Sequence, residues 1–227
     1  MIEVNNLSKK FGTKEVLKNI SLKFEAGKTT GIVGENGAGK TTLFRCIAGL
    51  EEFNGSIISE RMPLKNHLGL LVTDPYFFSK ITGREYLQLL CNARNSKSDD
   101  LDGRNIFDLP LDLYASTYSS GMKKKLAITA LLLQENDYFV LDEPFNGVDL
   151  EGNMIITEVI HQLRKLGKTI ILSSHIFSTL SETCDVIHLM KNGVITESAP
   201  KENFQAMEHK MKNILIGNKI ERLNLKS

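Results

Sequence analysis

Residues Gly34 to Thr42 read GENGAGKTT, three glycines within six positions followed by one lysine and two threonines. Thr29 to Val33, just before it, is a short β-branched run. LFRCIAGL, just after it, has helical character with Gly49 placed to stop it. Strand, glycine-rich loop and helix form the setting in which a backbone wraps an anion. Gly34, Gly37 and Gly39 let successive N–H groups turn inward, and the helix adds its positive N-terminal end. The stretch fits G-x-x-x-x-G-K-[ST]. It therefore predicts that Gly34, Glu35, Asn36, Gly37, Ala38, Gly39, Lys40, Thr41 and Thr42 hold the phosphates of a nucleoside triphosphate. Lys40 is expected to reach the β- and γ-phosphates, and the Thr41 hydroxyl to sit on Mg²⁺.

A phosphate loop needs an acidic counterpart for its cation, and YFVLDEP supplies one. Tyr138 to Leu141 reads as a buried strand, so Asp142 emerges at its carboxyl end, where open α/β sheets bind ligands. Asp142 is expected to hold Mg²⁺, directly or through water. Glu143, one residue on, is placed to polarise the attacking water as a general base.

The rest of the chain fits a nucleotide-binding α/β protein. Ile2 to Leu7, Val16 to Phe24 and Leu68 to Val72 read as strands, with KKFGTK as a turn. Thr82 and Glu85 have capping-box spacing, so a helix is expected to start near Thr82. RNSKSDDLDGRN reads as a surface loop and SSGMKKKLAITALLLQ as a second helix. Met154 to Lys165 has helical spacing. Thr169 to Leu172 is a buried strand ending at SSH, and Asp185–Met190 with Val194–Glu197 is a strand pair across the turn KNG. After Pro200 the sequence reads as a polar, mixed-charge tail.

Composition narrows the possibilities. The 227 residues are 41% hydrophobic and 24% charged, with a net charge of +1, so no electrostatic footprint for nucleic acid is present. The three cysteines, Cys46, Cys91 and Cys184, are far apart and read as reduced structural thiols. No apolar run approaches the ~20 residues that span a bilayer, and MIEVNNLSKKF lacks a signal-peptide core. The expected location is cytoplasmic.

Taken in order, GENGAGKTT, YSSGMKKKL, YFVLDEP, NGVD and ILSSH resemble the ATP-binding subunit of an ATP-binding cassette (ABC) transporter over roughly Met1 to Pro200. The resemblance implies an α/β fold: a P-loop NTPase core with an N-terminal antiparallel β subdomain and a helical insertion. The expected division is a core of residues 1–73 and 136–200, a helical subdomain of residues 74–135 and a C-terminal tail of residues 201–227. It also implies ATP and Mg²⁺ as cofactors and hydrolysis in a head-to-tail pair of cassettes, identical or different. Separate membrane-spanning subunits would hold the chain on the inner face of the membrane, and there is no nucleic-acid partner.

Carried over by position, Ser119 and Gly121 of YSSGM resemble the signature loop that touches the γ-phosphate held by the other cassette. Ser120 and Met122 depart from its usual glycine and glutamine. His175 resembles the switch histidine that reaches the γ-phosphate, so Glu143, His175 and Lys40 form the expected catalytic set. Phe11 falls where an aromatic stacks on adenine, and Asn146, Gly147 and Asp149 where a loop crosses to the opposite subunit. Thr73 replaces the usual glutamine that contacts the cation, so the expected metal set is Thr41, Asp142 and Thr73. Tyr76, Phe77 and Phe78 are expected to line the membrane partner's groove. The wording GREYL and SSGM looks most like cassettes serving exporters. Two other readings compete: a non-transport ABC ATPase of DNA repair or translation, and a hydrolysis-impaired regulatory cassette, which Thr73 would motivate.

Overall fold

The computed structural model describes residues 1–215. Its strands are β1 (Ile2–Phe11), β2 (Lys14–Phe24), β3 (Thr29–Val33), β4 (Asn54–Ser59), β5 (Leu68–Leu71), β6 (Tyr138–Leu141), β7 (Thr169–Ser174), β8 (Val186–Lys191) and β9 (Val194–Pro200). Its helices are α1 (Lys40–Ile47), α2 (Gly83–Ala93), α3 (Ser120–Leu133), α4 (Leu150–Lys165), α5 (Phe177–Thr183) and α6 (Phe204–Leu215).

The strands form two sheets. A three-stranded antiparallel sheet runs β2-β1-β4, and a six-stranded sheet runs β5-β6-β7-β3-β8-β9. In the larger sheet every pairing is parallel except β8 with β9. Burial follows from position in the sheet. The central strands β3, β6 and β7 are buried at every residue, so they read as continuous apolar or β-branched runs. Strand β2 alternates, because one face of its sheet meets solvent. One core, built around Phe24, Phe44 and Leu43, packs α1 between the two sheets. The other joins the opposite face of the large sheet to α2, α3 and α4 through Leu87, Leu126 and Ile156.

Several local expectations are met. Thr82 caps α2 in a capping box with Glu85, and β3 and β6 have the predicted bounds. Helix α4 begins earlier than its apolar spacing implied, because the Asp149 side chain accepts from Gly152 N and starts the helix there. Strand β4 and helix α5 went unread. The first is exposed along much of its length and held only by β1, so it carries little apolar signal. The second is only seven residues long.

The tail reading needs correction. Residues 204–215 form α6, because Phe204 and Met207 present an apolar stripe that is buried, Phe204 against Phe177. Lys201–Asn203 form a short 3-10 turn ahead of α6, and residues 216–227 of the predicted tail lie outside the described residues. The aromatic trio also divides: Phe77 is buried against Tyr86, while Tyr76 is 80% and Phe78 59% exposed. Two thiols fit the structural reading, since burial pushes Cys46 up to about 11 and Cys184 up to about 12. Among the described residues no helix is long and apolar enough to cross a membrane.

Candidate active site

Strands β5, β6, β7 and β3 are neighbours and run parallel, so their carboxyl ends open onto one edge. The chain leaves β3 at Gly34, β6 at Asp142, β7 at His175, and β5 just ahead of Thr73. Four segments distant in sequence therefore converge by sheet order alone. They surround a cavity of about 700 Å³ lined by residues 35–42, Thr73, Asp74, Asp142, Glu143, Asn146 and His175, with Phe11 at its rim.

The phosphate loop is held from both sides. Gly34 packs so close to β8 that a Cβ there would lie 2.3 Å from Met190 O. Gly39 takes φ +111 at the N-cap of α1, a left-handed conformation open to glycine. Gly193, in the turn between β8 and β9, donates its N–H to Ala38 O at 3.0 Å. Lys40, 6% exposed, donates to Gly34 O at 2.6 Å and lies 3.5 Å from Glu143 Oε1. Its ammonium thus stands between the loop carbonyls and the acid.

The acids are fixed by hydroxyls. Asp142 Oδ2 accepts from Thr41 Oγ1 at 2.6 Å and from Thr73 Oγ1 at 2.8 Å, while its Oδ1 accepts from Ser173 Oγ at 2.6 Å. Glu143 sits at φ +51, its N–H donating to Ser173 Oγ at 2.9 Å. Glu143 Oε2 pairs with His175 Nδ1 at 2.8 Å and accepts from His175 N at 3.3 Å. Glu143 Oε1 is buried with no hydrogen-bond partner. The Lys40 ammonium, 3.5 Å away, is the charge set against that oxygen.

One carboxylate and two hydroxyls gathered at Asp142 Oδ2 make a hard, all-oxygen donor set. That set fits Mg²⁺, which is held by one or two carboxylates together with substrate phosphates. Among the described residues no cluster of three or more His, Cys, Asp or Glu side chains is arranged to hold a metal. The donor set thus fits a cation that arrives with the nucleotide rather than one caged by protein.

Phe11 ends β1 at 48% exposure with the Lys9 ammonium 4.6 Å from its ring centroid, so one face is backed by a cation. Ser119 and Gly121 lie elsewhere: neither lines the cavity. Ser119 caps α3 by accepting from Met122 N at 3.2 Å, and a Cβ on Gly121 would lie 2.5 Å from Gly147 O. Sequence reasoning did not single out three polar neighbours, Ser173, Asp74 and Lys124. Ser173 was readable only as a strand residue, and nothing in the sequence reports that it braces both acids.

The sequence matches the ABC transporter family over residues 17–146. The bacitracin transport ATP-binding protein BcrA of Enterococcus faecalis is 35% identical over 213 residues, which span 87% of this chain and 68% of that protein. The ABC transporter ATP-binding protein NatA of Bacillus subtilis is 30% identical, covering 98% of this chain and 99% of its own. Among solved structures, an ATP-binding subunit of an ABC transporter superposes with a TM-score of 0.79 at 25% identity, over 92% of this chain and 93% of that one.

Proposed function

The chain belongs to the ABC transporter family as an ATP-binding subunit with ATPase activity, and from that premise we propose how its residues work. Residues 34–42 bind the triphosphate, with Lys40 leaving the loop carbonyls to meet the β- and γ-phosphates. Thr41, Asp142 and Thr73 hold Mg²⁺, which when bound supplies charge neutralisation on the phosphate oxygens. Glu143 accepts the proton of the attacking water through Oε1, the oxygen that makes no hydrogen bond. His175, hydrogen-bonded to Oε2, orients that carboxylate and reaches toward the γ-phosphate. Phe11 stacks on the base. The division into a core, a helical subdomain of residues 74–135 and a C-terminal segment goes with this reading.

The carrying observation is that Glu143 has one oxygen anchored on His175 while the other makes no hydrogen bond and lies 3.5 Å from the Lys40 ammonium. Such a carboxylate is oriented, and its Oε1 becomes the proton acceptor once Lys40 turns to the phosphates.

The signature turn at Ser119 and Gly121 does not reach this chain's own cavity. We propose that it completes the site of a second cassette, identical or different, in a head-to-tail pair. ATP then acts as the joint, and hydrolysis removes the contact that favours the closed state. In the presence of ATP and Mg²⁺, purified Glu143→Gln is expected to elute as a dimer on size exclusion. A strictly monomeric elution would overturn the paired-site reading.

The groove of about 310 Å³ beside β5, lined by Leu70, Tyr76, Tyr86, Leu90 and Leu131 with Arg94 and Gln134 among them, suits an amphipathic cytoplasmic segment of a membrane-spanning subunit. Exposed Phe78 lies edge-on to Tyr76 at its side, with ring centroids 5.9 Å apart. This partner would hold the chain at the inner face of the membrane. A direction of export goes with this reading.

Thr73 retains a cation contact in place of the longer glutamine, since its hydroxyl already shares Asp142 Oδ2 with Thr41. Thr73→Val keeps the shape and removes the oxygen. The loss of one hydrogen bond of about 1 kcal/mol predicts a roughly five-fold rise in the Mg²⁺ concentration for half-maximal ATPase. An unchanged magnesium titration would remove Thr73 from the metal set.

A further inference from the structure

Lys124 is a lysine with 3% exposure, on the turn of α3 that follows Ser120 and Gly121. Buried lysines are rare unless paired. Among the described residues no carboxylate lies within ion-pair distance of it, although Asp74, Glu143 and Asp142 are near enough to favour its charge. Its Nζ donates instead to two backbone carbonyls, Glu143 O at 2.8 Å and Asn146 O at 3.0 Å. These oxygens belong to one turn, closed by Asn146 N donating to Glu143 O at 3.2 Å. The turn begins at a non-glycine residue in the left-handed region, Glu143 at φ +51, a backbone state that persists only when its surroundings hold it. Two further contacts tie the same helix to the same segment. Gly121 abuts Gly147 O, and Lys125 Nζ lies 2.7 Å from Asp149 Oδ1.

We propose that Lys124 is a positioning residue: its ammonium, clamped on the carbonyls of Glu143 and Asn146, fixes the backbone from which the water-activating carboxylate projects and makes the first turns of α3 one body with it. Whatever seats the start of α3 then also seats this chain's own base. The inference rests on the assignment of Glu143 as that base. It also explains why a strongly hydrated ammonium is buried here, because its three rotatable donors reach both carbonyls at once, while the two donors of a neutral amide of similar length are fixed in the amide plane.

Lys124→Met keeps the length and removes every donor. In the full chain it is expected to lower kcat about ten- to a hundred-fold, the scale of a catalytic group displaced by about an ångström. ATP affinity and KM should stay within about two-fold, since Lys124 does not line the nucleotide cavity. Combined with Glu143→Gln it should cause no further loss, because both changes act through one carboxylate. A folded Lys124→Met with parental kcat would overturn the proposal. So would a loss that multiplies with that of Glu143→Gln, or one in which ATP affinity falls as far as kcat. Should Lys124→Met fail to fold, Lys124→Gln carries the same test, with reduced kcat at unchanged KM expected and parental kcat overturning it. Glu143→Gln alone separates the two assignments. If it keeps full turnover the base assignment falls. If it is nearly inactive while Lys124→Met runs at full rate, only the role of Lys124 falls.

Discussion

Glu143→Gln is expected to slow ATP turnover by about a hundred-fold or more while ATP binding stays near its original strength. The size follows from removing a general base, an effect of about 10²–10⁴ in rate. The selectivity follows from geometry. The amide keeps the shape of the carboxylate and can retain an oxygen toward His175, whose Nδ1 lies 2.8 Å from Oε2. The backbone of residue 143 stays braced by Ser173 at 2.9 Å and by Lys124 at 2.8 Å. What is lost is the proton acceptor at Oε1. Single-turnover hydrolysis measured beside equilibrium ATP binding checks both halves. Full turnover in this variant would mean that another group takes the proton.

Lys40→Ala is expected to fail one step earlier, at nucleotide binding. Lys40 is the buried cation of the phosphate loop, and its Nζ is already within reach of loop carbonyls and Glu143. Hydrogen bonds to charged groups contribute about 1.5–3 kcal/mol, so losing the contact to the phosphates predicts a fall in ATP affinity of roughly ten- to a hundred-fold. Removing the ammonium also takes away the positive charge 3.5 Å from Glu143 Oε1, so the γ-phosphate and the acid repel more strongly. Titration of the variant with a fluorescent ATP analogue measures this directly. Unchanged affinity would remove Lys40 from the phosphate site. Together the two variants separate binding from chemistry: one should hold ATP without turning it over, the other should scarcely hold it.

The aromatic residues show where sequence reading divides. Three consecutive residues, Tyr76, Phe77 and Phe78, have the same apolar character, yet the middle one is buried on Tyr86 and its neighbours face out. No local pattern separates them, because the difference comes from α2 lying across that short segment. Similarly Phe204 and Met207 sit in a polar stretch and become core only where α5 offers Phe177 as a partner.

The residue types proposed to carry the chemistry, and their order along the chain, are legible in the residues alone. The phosphate loop between β3 and α1, the Asp142–Glu143 pair after β6 and the capping box at Thr82 are local features, set by backbone freedom, strand burial and side-chain reach within a few residues. Only the tertiary structure decided how they meet. The parallel order β5-β6-β7-β3 brings Thr73, Asp142, His175 and Gly34 to one edge. That same packing turns Ser173 under the acids and Lys124 onto the carbonyls of Glu143 and Asn146. These partners are separated by 19 to 31 residues in the chain. Contacts at such separations depend on which strands and helices lie side by side, a property of the folded sheet that no short stretch of residues contains.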